Sequence, residues 1–192
     1  MEAIKLKTAV LDRLTDEEFF EFCQDHRDLR IERDPSHRIT IMPPASSETG
    51  SHNSELNYQL AHWNRQQQLG VVFDSSAGFT LPTGAMLSPD ASWVAQARWD
   101  ALSDADRRGF ARLCPDFVAE LHSPSDRLPE ALQKMAHWLE AGARLAWLLV
   151  PASETAFVFA PAQPMQTVQG FGGVLSGEPV LPGFGLELAR LR

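Results

Sequence analysis

One uninterrupted apolar segment, residues 145–150, constrains the fold of this chain more than any other feature. It holds six consecutive apolar residues and no polar one. That length and composition are typical of a central β-strand that is buried on both faces. A segment that crosses a bilayer needs about 20 apolar residues, so this one is far too short and we expect no membrane partner. Secondary structure must therefore cover both faces of the strand.

Several stretches show the periodicity or the end signals of helices. Predicted helices begin at Thr15, cover residues 46–69, form two short surface segments within 96–112, and run from Leu128 to just before Gly142. Thr15 and Glu18 have the spacing of a capping box, which supports the first helix. Gly70 is a typical stop signal for the second helix. Either Ser125 or Asp126 is expected to cap the helix that begins at Leu128.

The remaining patterned segments predict strands. They cover residues 29–32 and 38–42, joined as a hairpin by the turn residues 34–37, then 71–73, 78–81, a strand opened by Asp90, 116–121, an antiparallel pair at 155–160 and 165–169, and a last short edge strand at 186–188. Strands mixed with helices in this order predict an α/β (mixed α+β) fold, in which helices flank a mixed sheet. At 192 residues, the chain suits a single domain, residues 1–192.

The charge and the cysteine content exclude some classes of protein. The formal net charge is −8, which counts against tight nucleic-acid binding in the absence of a metal. A bound cation would supply the missing positive charge. Cys23 and Cys114 lie in unrelated contexts, so neither a disulfide framework nor a zinc site is expected. The reducing compartment that this suggests, together with an N-terminus that has no long apolar core, predicts a cytoplasmic protein.

Glu120 is the most informative single residue because it interrupts an otherwise apolar strand. Burying a carboxylate costs free energy unless a cation or hydrogen-bond donors meet it. One explanation is a structural ion pair, with Lys134 or Arg144 as the partner. The other is a functional site shared with Asp90, the acid at the start of a second short strand. For Asp90 the alternative is a structural role as the cap of a turn.

Two carboxylates of this kind suit Mg²⁺ or Mn²⁺, with the backbone carbonyl of Leu121 as a third ligand. A metal held in this way assists the hydrolysis of a phosphodiester, for which Asp90, Glu120 and Lys134 are the candidate catalytic residues. Lys134 would orient the attacking water, although a lysine beside an apolar helix stripe is more commonly a snorkelling residue. His122, two residues after Glu120, is the rival for that role.

Two further side chains are possible accessory residues of this site. His52 and Glu55 lie on the long helix predicted over residues 46–69, where they could face the same cleft.

Three segments in this order and spacing resemble the Uma family of restriction-endonuclease-like proteins. They are residues 72–82, residues 88–94 and residues 114–126, with Lys134 beyond them and with residues 175–178 and 180–184 resembling the C-terminal end of the family. The resemblance implies a core similar to that of the PD-(D/E)XK nucleases, with Asp90 and Glu120 as the acids of the motif. His122 stands where that superfamily usually has its lysine, so the resemblance points to Lys134 as its replacement. It also implies a homodimer.

Three functions remain open at this point. The first is a Mg²⁺-dependent endonuclease that hydrolyses DNA. The second is a catalytically inactive, dimeric binding or assembly module of the same fold, in which Glu120 and Lys134 form a buried structural pair. The third is a nuclease or phosphodiesterase that acts on RNA or on nucleotides.

Overall fold

The computed structural model describes residues 4–6, 13–124 and 126–192, except for the side chain of Lys5. The helices are α1 (Asp16–Asp25), α2 (Ser47–Gln67), α3 (Gln96–Asp100), α4 (Asp104–Arg108) and α5 (Leu128–Glu140). The strands are β1 (Ile4–Leu6), β2 (Arg30–Arg33), β3 (Ile39–Met42), β4 (Gly70–Asp74), β5 (Phe79–Thr80), β6 (Met86–Leu87), β7 (Ala91–Ala95), β8 (Phe117–Leu121), β9 (Leu145–Val150), β10 (Thr155–Phe159), β11 (Gln166–Gln169), β12 (Val174–Ser176) and β13 (Gly185–Glu187). None of the helices in these ranges is both long and apolar enough to cross a membrane.

The largest sheet has six strands in the order β11-β10-β9-β8-β7-β4. Its two central strands, β8 and β9, are parallel and are connected through α5, whereas the other neighbouring pairs are antiparallel. All six residues of β9 are buried, so the prediction of a central strand covered on both faces is confirmed. The predicted class, a mixed sheet flanked by helices, is confirmed as well.

Strand β8 divides its side chains between two hydrophobic clusters. Phe117 and Leu121 join the cluster that contains Leu60 of α2. Val118 joins the cluster that contains Trp138 of α5. Because successive side chains of a strand point to opposite faces, Glu120 shares the α5 face with Val118.

A second sheet, in the order β1-β3-β2-β6-β5, contains the predicted hairpin of β2 and β3. Ile31 of β2 packs with Phe19 of α1 in a third hydrophobic cluster. By the same alternation, Arg30 and Glu32 lie on the opposite face of β2. The hairpin therefore turns one apolar face to its own helix and one charged face away from it.

Several predicted helix ends are wrong in detail. Helix α2 ends at Gln67, and its C-cap Gln68 adopts the left-handed conformation with a φ of 55°. Gly70 opens the next strand instead of stopping the helix. The N-cap of α5 is Arg127 and not Asp126, whose carboxylate accepts a hydrogen bond from the N–H of Ser123. The other predicted cap, Ser125, lies outside the described residues.

The last predicted strand also differs from the structure. It is β13, one residue earlier than expected, and it pairs with β12 in a separate two-stranded sheet. The sequence pattern did not indicate β12, because Val174 and Leu175 are both apolar although only Leu175 is buried, so the alternation of the strand does not show in its residue types. The short strand β6, with two residues, was missed for a similar reason.

We expect Gln68→Gly to raise the free energy of unfolding by about 0.5–1 kcal/mol, because glycine adopts a positive φ without steric cost. Urea denaturation measures the change. The matched control is Gln67→Gly, which places glycine at the last helical residue and should lower the free energy of unfolding by a similar amount. If both substitutions shift stability in the same direction, the strain assigned to Gln68 is absent.

Candidate functional site

Four separate elements bring charged side chains to the end of β8. In the register of β7 and β8, Ala91 pairs with Ala119, so the preceding residue, Asp90, lies opposite Glu120. Lys134 reaches the same place from α5, and Glu32 reaches it from β2. The site is thus built where the second sheet meets the end of the six-stranded sheet.

The centre of the site is one lysine between two carboxylates. The Nζ atom of Lys134 is 2.9 Å from Oε1 of Glu32 and 2.9 Å from Oε1 of Glu120. Glu120 also accepts a hydrogen bond of 2.9 Å from Nε1 of Trp138, one turn further along α5. Both carboxylates are about nine-tenths buried, so these donors offset much of their desolvation cost.

Asp90 is held by a second cation and by the backbone of β8. Its Oδ1 atom is 3.1 Å from Nη1 of Arg30 and 3.5 Å from Nδ2 of Asn53. Its Oδ2 atom accepts a hydrogen bond of 2.8 Å from the N–H of Leu121, the residue directly after Glu120. The two candidate acids are therefore joined through a single peptide unit.

The segment that carries Asp90 is fixed at both of its ends. Ser88 donates its N–H to Glu32 at 3.0 Å and accepts from Nη2 of Arg30 at 2.7 Å through its carbonyl. The carbonyl of Asp90 accepts from Nδ2 of Asn57 on α2 at 2.9 Å. Side chains from β2 and α2 therefore set the position of the Asp90 carboxylate, which a loop alone would leave free to move.

Burial and the charge of the partner act in opposite directions on the pKa of Glu120 and on that of Lys134. Burial is the largest influence on Glu120 and raises its pKa from 4.5 to about 7, against the opposing effect of Lys134 and with a further rise from Asp90 and Glu32. Burial by itself would lower the pKa of Lys134, but Glu120 and Glu32 together raise it above its usual value. Lys134 therefore stays protonated, and Glu120 is the group whose proton is exchangeable near neutral pH.

The oxygen atoms of the site match what a hard divalent cation binds. No three His, Cys, Asp or Glu side chains among the described residues form a metal-binding group by themselves. Mg²⁺ is, however, commonly held by one or two carboxylates with other oxygen atoms completing its shell. Continuing the register by two residues places Pro89 opposite Leu121, and proline has no N–H to donate to the Leu121 carbonyl. Asp90, Glu120 and that carbonyl therefore fit a divalent cation.

The structure places the predicted site residues in two groups. Asp90, Glu120 and Lys134 lie in one cluster, in which Lys134 rather than His122 contacts Glu120. His122 lines a neighbouring cavity of about 90 Å³ together with His52, and its Nε2 atom is buried without a hydrogen-bond partner among the described residues. Glu55 accepts a hydrogen bond from Gln59 of its own helix at 2.9 Å.

The alternative partner that the sequence suggested for Glu120 is wrong. Arg144 lies 3.6 Å from Asp116, at the opposite end of β8, and not beside Glu120. The structural role of Asp116 is clear from its other contacts, because it pairs with Arg98 at 2.9 Å and accepts from the N–H of Ala95.

Sequence reasoning missed two charged residues of β2 that reach the site, Arg30 and Glu32. A signal for them was present, because charges two residues apart on a strand share one face and Ile31 between them faces a core. That pattern indicates a charged face but not what it meets. The contacts with Asp90 and Lys134 span 60 and 102 residues of sequence, so only the folded chain reveals them.

Comparison with known proteins shows the family of this chain. Residues 16–189 match the model of the Uma2 family, described as "Putative restriction endonuclease", and the chain therefore belongs to the Uma2 family. This confirms the resemblance found in the sequence, and the description of the family supports a nuclease-like function. No curated protein sequence matches the chain.

A solved structure shows the same fold. It is a crystal structure of a putative nuclease belonging to DUF820 from Anabaena variabilis, with a TM-score of 0.73 and 19% sequence identity. The match covers 93% of this chain and 97% of that chain. The predicted nuclease-like architecture is confirmed by this likeness, which at such low identity concerns the fold alone.

Glu120→Gln tests the effect of burial on this carboxyl. Since the pKa of Glu120 is raised from 4.5 to about 7 in the folded state, the folded protein holds this proton more tightly than the unfolded chain. Its contribution to stability is present in full below about pH 4.5 and is lost as the pH rises through about 7. Glutamine mimics the protonated carboxyl at every pH. We therefore expect the free energy of unfolding of the wild type to fall relative to that of Glu120→Gln as the pH rises from 5 to 8, by on the order of 3 kcal/mol at most.

Urea denaturation of both proteins at a series of pH values measures this difference, and other titrating groups cancel because they are common to both. A difference in unfolding free energy that stays constant across this range would show that Glu120 titrates as an ordinary exposed glutamate.

Proposed function

We propose that this protein is a Mg²⁺- or Mn²⁺-dependent endonuclease that hydrolyses DNA phosphodiester bonds. One observation carries the proposal. The ammonium of Lys134 lies 2.9 Å from the Glu120 carboxylate, while the Asp90 carboxylate is bound to the next peptide N–H along the same strand. Two acids and a lysine that are far apart in the sequence therefore meet at one point. The family to which the chain belongs supports the same class of reaction.

The residues of the site divide into metal ligands and a water-positioning group. Asp90, Glu120 and the backbone carbonyl of Leu121 would hold the ion. When bound, such an ion stabilises the negative charge of the phosphate in the transition state and lowers the pKa of a coordinated water.

Lys134 acts as a cation and not as a base. Its pKa is raised by the two flanking glutamates, so its Nζ atom keeps all three protons at neutral pH. Such a group donates hydrogen bonds to the attacking water and to phosphate oxygens, which orients the water and offsets charge that develops on the phosphate. Glu32 and the Trp138 indole hold the ammonium and the Glu120 carboxylate in place.

A second candidate function is favoured by a specific feature of the structure. Each acid of the cluster already has a cation beside it, since Arg30 pairs with Asp90 and Lys134 pairs with both glutamates. This is what a catalytically inactive binding or assembly module that uses the cluster as a structural element would show. A nuclease that acts on RNA or on nucleotides would use the same residues, and a panel of substrates separates it from a DNA endonuclease.

We also propose that the protein is cytoplasmic and that it forms a homodimer, of which the second is what the resemblance to the family implies. Sedimentation equilibrium of the purified chain measures its oligomeric state.

Wild-type protein should nick supercoiled plasmid DNA when Mg²⁺ or Mn²⁺ is added, and EDTA should abolish the nicking. Asp90→Asn removes a ligand charge, and Lys134→Ala removes the positioning ammonium, so each should lower the nicking rate by about 100-fold or more. Gel electrophoresis of nicked and supercoiled forms gives the rates. The matched control is Asp116→Asn, which changes another buried carboxylate, at the other end of β8, and should leave nicking at the wild-type rate. Equal rates in all four proteins would contradict the proposed site.

Metal binding can be measured without any substrate. Mn²⁺ at about 100 times its Kd should raise the free energy of unfolding of the wild type by about 2.7 kcal/mol, because the ion binds the folded state only. A thermal melt monitored by intrinsic tryptophan fluorescence shows this as a rise in Tm. Asp90→Asn should lose the rise and Asp116→Asn should keep it. An equal rise in both variants would place the metal elsewhere, and no rise in the wild type would favour the inactive module.

A further inference from the structure

Arg30 reaches the site from the hairpin and is held there without being enclosed. Its Nη1 atom contacts Asp90 at 3.1 Å, and its Nη2 atom contacts the carbonyl of Ser88 at 2.7 Å. One third of the side chain remains exposed, against about one tenth for its partner Asp90. The Arg30 side chain is therefore partly open to solvent, while its guanidinium contacts a buried acid of the site.

The hydrogen-bonding capacity of Arg30 is only partly used. A guanidinium has five N–H donors, of which two are committed to Asp90 and Ser88. The Nε atom is buried and has no hydrogen-bond partner among the described residues. Leaving such a donor unpaired costs about 1–3 kcal/mol. A buried donor without a partner is therefore unusual unless a ligand satisfies it. The remaining η N–H groups can donate to a phosphate, and the Nε–H joins them in a bidentate fork once the side chain moves away from Asp90.

The charge of the cluster explains when an anion would bind. Three carboxylates (Glu32, Asp90 and Glu120) face two cations (Arg30 and Lys134), which gives a formal charge of −1. In that state the cluster repels phosphate. With one divalent ion bound, the formal charge becomes +1, and the same cluster attracts it. The ion would also compete with Arg30 for the Asp90 carboxylate, which frees further donors of the guanidinium.

We propose that Arg30 is a substrate-binding residue whose guanidinium binds a backbone phosphate of the nucleic acid beside the metal. The proposal rests on the proposed nuclease function and adds the group that receives the substrate. In the metal-free protein, Arg30 serves as the counterion of Asp90. In the metal-loaded protein, it contacts phosphate with donors that are unused in this structure. The chain is acidic overall, with a net charge of −8, so this local contact contributes much of the attraction for DNA.

The test is DNA binding rather than cleavage. A fluorescently labelled duplex with phosphorothioate linkages, which slow hydrolysis, is titrated in Mg²⁺ at several concentrations of KCl, and anisotropy gives the Kd. For Arg30→Met, we expect a Kd about 10 times that of the wild type and a slope of log Kd against log salt that is smaller by about 1, as for the loss of one phosphate contact. Arg30→Lys keeps the charge without the fork and should lie between the two.

The matched control is Arg98→Met, which removes another half-exposed arginine paired with a buried aspartate, Asp116 at the opposite end of β8. It should bind DNA like the wild type and keep the same salt slope. The Tm of each variant tests whether it is folded. If Arg30→Met does not fold, Arg30→Lys provides the measurement.

Each outcome decides between the proposals. If the wild type binds DNA in Mg²⁺ and Arg30→Met binds it equally well with an unchanged salt slope, the role of Arg30 is wrong while the nuclease proposal stands. If Arg30→Met instead gains only Mn²⁺ affinity, measured by titration calorimetry, Arg30 is a counterion of Asp90 and nothing more. If the wild type binds no DNA at any salt concentration, the DNA endonuclease proposal fails and the role of Arg30 fails with it.

Discussion

The candidate site depends on one ammonium group placed between two buried carboxylates. Removing the charges of Lys134, Glu32 and Glu120 from water costs several kcal/mol for each ion, and their mutual attraction offsets this cost only when the geometry is good. Here the distances from Nζ of Lys134 to the two glutamate oxygen atoms are both 2.9 Å, and the indole N–H of Trp138 donates a further hydrogen bond to Glu120. A cluster of this kind is costly when any one member is lost, so the groups proposed for the chemistry also hold the elements together.

The cluster also joins the hairpin of β2 and β3 to the six-stranded sheet. The apolar residues of the hairpin pack on α1 in the third cluster, whereas β5 and β6 of the same sheet contribute Phe79 and Leu87 to a cluster of the six-stranded sheet. The contacts of Arg30 with Asp90 and of Glu32 with Lys134 cross from the second sheet to the first. Docking of the hairpin therefore completes the candidate site.

Alternating and continuous apolar patterns in the sequence predicted most of the secondary structure. The continuous apolar run of β9 and the single acid within β8 are local patterns, and each predicted its strand because burial selects side chains by their period along the chain. Helix ends were less predictable, since Gln68 took the left-handed position that Gly70 was expected to fill two residues later. Short strands such as β6 and β12 have too few residues for a period to show.

The sequence alone determined which residue types were available and where they lie along each element, so it identified Asp90, Glu120 and Lys134 as an ordered set. It did not determine which cation faces which acid, because that choice is made by contacts between residues that are distant in the chain. Tertiary structure placed Lys134 rather than Arg144 beside Glu120, and it brought Arg30 and Glu32 from the hairpin into the cluster. The physical reason is that periodicity reports the face on which a side chain lies, whereas the partner across that face depends on how whole elements pack.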